Sequence, residues 1–79
     1  MSHAKINFVT RQFNVIVERD AEGLYVATVP ALPGCHTQAA SLDELMARTR
    51  EAIELTLEEE GEPAEQLDFV GVQTVTVGE

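Results

Sequence analysis

Basic side chains are scarce in this 79-residue chain: five Lys and Arg stand against fourteen Asp and Glu, a formal net charge of -9. The deficit is uneven, because nine acidic residues and no Lys or Arg follow Arg50. So few cations cannot build the phosphate-neutralising patch on which nucleic-acid affinity rests, so direct nucleic-acid binding is not expected. Cysteine occurs once, at Cys35, which excludes an intrachain disulfide. With two His at unrelated spacing it does not compose a zinc site either. No apolar run approaches the ~18 residues that span a bilayer, and the N-terminus lacks the apolar core of a secretory signal. The chain is expected in the cytoplasm, with no membrane partner.

Catalytic signatures are missing as well. There is no glycine-rich phosphate loop, no nucleophile elbow, no repeat and no low-complexity tract. His36 has no acid or nucleophile beside it in the sequence. Glu18, Asp20 and Glu22 cluster in a polar turn, where carboxylates are ordinarily solvated; a vestigial metal site there is the alternative. No catalytic residue, metal or cofactor is expected, and the chain reads as a non-enzyme.

What is present is organised around residues 25–57, where an extended apolar run meets a Pro/Gly loop and passes into an amphipathic helix. Ser41 followed by Glu44 is a capping box, so the helix begins at Leu42. Leu42, Leu45, Met46, Thr49, Ala52, Ile53, Thr56 and Leu57 fall within an arc of roughly 140°, the width of a face laid on a core. Asp43, Glu44, Ala47, Glu51, Glu54 and Glu58 lie opposite, with Glu44 and Arg48 spaced as an i,i+4 ion pair. Gly61 and Pro63 end the helix near Glu60, where its last turn is expected to fray. Leu55 points into the polar arc, either as an isolated exposed leucine or as a partner contact.

Before the helix, Phe13, Val15 and Val17 alternate with polar neighbours and predict a first strand over residues 13–18, beginning as early as residue 7. Residues 19–23, RDAEG, are a hairpin loop, so a second strand over 24–29 returns antiparallel. Pro30 and the Pro33-Gly34 turn interrupt the pairing, and a short third strand follows over 35–38. After the acidic, Pro63-containing loop, Val70, Val72, Thr74, Val75, Thr76 and Val77 predict a fourth strand.

The expected fold is α+β, a two-layer β-β-β-α-β arrangement over one domain, residues 1–79. An antiparallel three-stranded meander is joined by a fourth strand beside the first, and one helix packs on one sheet face. The other face is left open, with Ile16, Tyr25, Ala27 and Val29 assigned to it, and its apolar character predicts a cover by a second copy or another protein. A chain this short folds with little to spare, which also favours a homo-oligomer, dimer or higher, and the alternative to a protein-binding module is a stand-alone self-associating structural or small-ligand-binding domain.

Residues 17–63 resemble the HicB-like antitoxin family. The matching motifs are E-x-D-x-x-G-x-Y (Glu18, Asp20, Gly23, Tyr25), V-P-x-L-P-G-C (Val29, Pro30, Leu32, Pro33, Gly34, Cys35) and S-L-x-E followed by EAIEL (Ser41, Leu42, Glu44, residues 51–55). The resemblance implies a degraded RNase H-like fold without the catalytic carboxylates of the active nucleases. It also implies a partner, a small basic HicA-type toxin that cleaves mRNA, neutralised by occlusion. Full-length HicB antitoxins carry a further DNA-binding segment, which these residues do not hold, so operator binding is not expected of them.

Charge agrees with such a partner, although an acidic surface also serves plain solubility. The candidate contacts are Tyr25, Pro30, Leu32, Pro33, Gly34 and Leu55. The loop among them is restricted by two prolines and loses little entropy on binding. Each motif residue also has a structural reading: turn geometry for Gly23 and Gly34, packing for Leu32 and Cys35, a half-buried strand aromatic for Tyr25.

Overall fold

The computed structural model describes residues 11–63 and 67–78. Three strands, β1 (Ile16–Arg19), β2 (Tyr25–Thr28) and β3 (His36–Ala39), precede a helix, α1 (Leu42–Glu60). The sheet order is β1-β2-β3 and both pairings are antiparallel, with Ile16 opposite Thr28 and Thr28 opposite His36. The α+β class, the meander and the helix bounds agree with expectation. An earlier start of the first strand, at residue 7, lies outside the described residues.

The first hairpin is closed by Asp20. Its carboxylate Oδ1 accepts from the amides of Glu22 and Leu24, each at 2.9 Å, while its backbone exchanges hydrogen bonds with Gly23 and Leu24. Gly23 sits at φ 89°, the left-handed residue that such a loop demands. Asp20 is therefore a turn residue by geometry.

The helix starts as its cap predicts: the Ser41 hydroxyl accepts from the Glu44 amide at 3.2 Å. The fraying expected at the other end is not seen, because Gly61, at φ 73°, donates its amide to the Leu57 carbonyl at 2.8 Å. Arg48 pairs with Glu44 and also donates to the Gln38 carbonyl at 2.9 Å, tying the helix to β3.

Two buried clusters form the core, one of Ala27, Ala39 and Leu45, the other of Val29, Leu32 and Cys35. Val15 packs against both. Thr49 is buried beside them and its hydroxyl is satisfied by the Leu45 carbonyl at 2.7 Å. The helix crosses β3 and β2 but not β1. In consequence Leu42 and Met46, expected on the buried face, are about half exposed: the apolar arc is wider than the sheet beneath it.

Two further expectations are corrected. Ala27 and Val29 do not lie on the open face; both are buried under the helix, and Tyr25 packs against the first cluster. The face away from the helix carries Ile16, Glu18, Val26, Thr28, His36 and Gln38, and is mostly polar, because side-chain alternation fixes these positions once Ala27 points inward. Nor do residues 67–78 form a strand of this sheet. They are exposed and carry no regular secondary structure. Strand propensity is present in those valines, but propensity does not name a partner strand.

Candidate protein-docking site

The V-P-x-L-P-G-C motif folds into two consecutive tight turns. The Leu32 amide donates to the Val29 carbonyl at 3.0 Å, closing the first; the Cys35 amide donates to the Leu32 carbonyl at 2.9 Å, closing the second. Proline occupies the second position of each turn, where its fixed φ is already correct. Gly34 takes the third position of the second turn at φ 84°, the type II geometry. The Val29 amide then bonds the Cys35 carbonyl at 3.0 Å and closes the neck of the loop.

The spacing of three explains the rest of the motif. Val29, Leu32 and Cys35 all turn inward, and Phe13, Ala52, Ile53 and Leu57 pack around them. Pro30, Pro33 and Gly34 are left on the outside. A loop pinned by three buried side chains and stiffened by two prolines presents a preformed surface.

Between this loop and the end of α1 lies a cleft of about 330 Å³, lined by Pro30, Ala31, Leu32, Pro33, Thr56, Glu60, Gly61, Glu62, Pro63 and Leu67. Its walls are apolar and its helix side is acidic. Glu58, Glu59 and Glu60 are exposed with no basic residue in the last helical turn, and Glu62, also exposed, is ion-paired with Arg11. Sequence reasoning found the loop and the acidic run separately. It missed that the fold sets them on opposite sides of one cleft, which Pro63 also lines.

The other candidate residues are dispersed. Leu32 is only 3% exposed and shapes the cleft from beneath. Tyr25 sits at the far end of β2, where the Arg19 guanidinium stacks over its ring at 4.6 Å and bonds its hydroxyl. Leu55 is exposed on α1, as its place in the polar arc predicts. Among the described residues, no three His, Cys, Asp or Glu side chains come together as metal ligands do, and no helix is long and apolar enough to cross a membrane.

Known proteins are similar to this chain in sequence. The family model described as the HicB-like antitoxin of bacterial toxin-antitoxin systems matches residues 13–74, from the first core phenylalanine into the C-terminal extended segment. A UPF0150 protein of Archaeoglobus fulgidus is 56% identical over 66 residues, covering 84% of this chain and 94% of that protein. A UPF0150 protein of Synechocystis is 45% identical over 67 residues, covering 85% and 96%. One of Thermotoga maritima is 39% identical over 70 residues, covering 87% and 93%. A double-turn loop built from the motif, the capped helix behind it and a match spanning most of the chain lead to one assignment: this chain belongs to the HicB-like antitoxin family of bacterial toxin-antitoxin systems.

Proposed function

We propose that this chain, folded as one domain over residues 1–79, is a binding module that neutralises a small basic HicA-type ribonuclease by covering its RNA-binding surface. The observation that carries this reading is the cleft, in which a rigid proline loop faces an acidic helix end. The loop offers a preorganised apolar contact and loses little entropy on docking. The glutamates attract a basic surface and raise the encounter rate. Pro30, Pro33, Gly34, Glu60 and Glu62 are the central contacts, with Tyr25, Leu32 and Leu55 peripheral or indirect. The module acts by occlusion without catalysis, cofactor or direct nucleic-acid contact, in the cytoplasm where mRNA is cut. The β-β-β-α order is compatible with a degraded RNase H-like fold.

Co-expression with a small basic protein encoded beside this one tests the proposal. The wild type should relieve growth arrest and bind in a salt-sensitive manner. A variant carrying Glu58→Gln, Glu59→Gln, Glu60→Gln and Glu62→Gln should associate at least about tenfold more slowly at low salt. Binding that is indifferent to these glutamates would overturn it.

A second reading is self-association, as a dimer or higher oligomer. It is favoured by the exposed valines of the C-terminal segment, which a monomer would leave in water.

A further inference from the structure

The two edge strands of the sheet are not equally protected. On β3, Arg48 takes the Gln38 carbonyl. Along the outer edge of β1 no strand pairs among the described residues. On the helix side of that edge lies a groove of about 540 Å³, lined by Phe13, Val15, Met46, Ile53 and Leu57, with Arg11, Arg50 and Glu54 as its charged residues. It exists because the helix crosses β2 and β3 and overhangs the β1 side. Open to water, it leaves Met46 48% exposed.

The same chain carries a segment of matching chemistry. Residues 69–77, FVGVQTVTV, hold no charge and are rich in β-branched side chains. Val70, Val72, Val75 and Val77 are 94%, 73%, 79% and 89% exposed. An uncharged extended run of this kind seeks a strand edge. Its root, from Leu67 to Gly71, lines a recess together with Arg11, Phe13 and Asn14, so the arm leaves the body beside the β1 edge.

We propose that residues 70–77 of one copy add as a fourth strand to the β1 edge of a second copy, with valines seated among Phe13, Met46, Ile53 and Leu57, and that two copies exchange arms in this way. The exchange is reciprocal, so it closes at a dimer and does not propagate. Each arm gains ladder hydrogen bonds and buries valines that are otherwise wet. The apolar lining of the groove suits a neutral, valine-rich arm. The inference rests on the self-association reading and is independent of what the cleft binds.

Sedimentation equilibrium of the full chain at micromolar concentration should return a dimer. An isotope-filtered NOE spectrum of mixed labelled and unlabelled copies should connect arm valine methyls of one copy to the Met46 and Ile53 methyls of the other. The full-length double variant Val72→Asp/Val75→Asp alters only exposed positions of the single chain. It should keep its helical circular dichroism signal, which reports the body of the fold, while its dimer dissociation constant rises at least about a hundredfold. A wild-type monomer would overturn both the exchange and self-association. A dimer unaffected by the double variant would overturn the exchange and leave self-association standing. So would NOEs that place the groove against its own arm or against residues 1–10. A chain whose arm pairs only after a basic partner is added would also overturn it.

Discussion

The backbone amide of Val29 donates to the carbonyl of Cys35 at 3.0 Å, and this one bond closes a seven-residue motif into a self-contained loop. Both side chains at the neck are buried, so the prolines between them are held outward by the core itself. The stability of the loop and the outward presentation of its prolines are therefore coupled.

Gly34 tests that coupling. A methyl group built at its Cβ position meets nothing within 4 Å, so the cost of Gly34→Ala is conformational and follows from φ 84°. It should destabilise the fold by about 1 kcal/mol in a denaturant titration, with Gly34→Asn costing less. Equal stability of Gly34→Ala and the wild type would contradict the turn assignment.

Asp20 and Glu22 are both acids of the first hairpin, but only Asp20 holds backbone amides. Asp20→Ala should cost about 1–2 kcal/mol, and Glu22→Ala should fall within about 0.5 kcal/mol of wild type. Similar losses at both positions, read from thermal midpoints, would mean the acids act together in some other way.

Leu45 and Leu55 separate the two sides of α1. Leu45 is fully buried against Ala27 and Ala39, and Leu45→Ala should remove about 2–5 kcal/mol, enough to leave a chain of this size largely unfolded at room temperature. Leu55→Ala should be close to neutral in the free protein. A loss above about 1 kcal/mol at Leu55 would show that its exposed side chain is covered in solution.

Ser41→Ala should lower stability by about 1 kcal/mol through loss of the bond to the Glu44 amide, and Ser41→Asp should recover it. Failure of the aspartate to recover stability would place the serine's role elsewhere.

Much of this architecture was legible in the residues because its determinants are local. The Ser41 and Glu44 pattern fixed the helix start, Gly61 and Pro63 its end, and Asp20 with Gly23 the first hairpin. The double turn announced itself through Pro30, Pro33 and Gly34. What could not be read was relational. Tyr25, Ala27 and Val29 alternate correctly along β2, yet alternation alone does not say which set meets the helix, and the open face was assigned wrongly for that reason. Residues 70–77 have strand chemistry, yet β-branched composition alone does not name a partner strand. Leu32 carries both a contact and a packing reading in the sequence, and its burial at 3% agrees with packing, because consecutive four-residue turns return every third side chain to the interior.

The helix has one more property, set by how it finishes. Its peptide dipoles point their negative end toward Glu58, Glu59 and Glu60, with no cation in the last turn to offset them. In the free protein this terminus is under mutual repulsion that dissolved salt relieves, so the melting temperature should climb as sodium chloride is added. Any cationic surface that settles there relieves the same repulsion, so part of its affinity comes from tension already present in the unbound molecule.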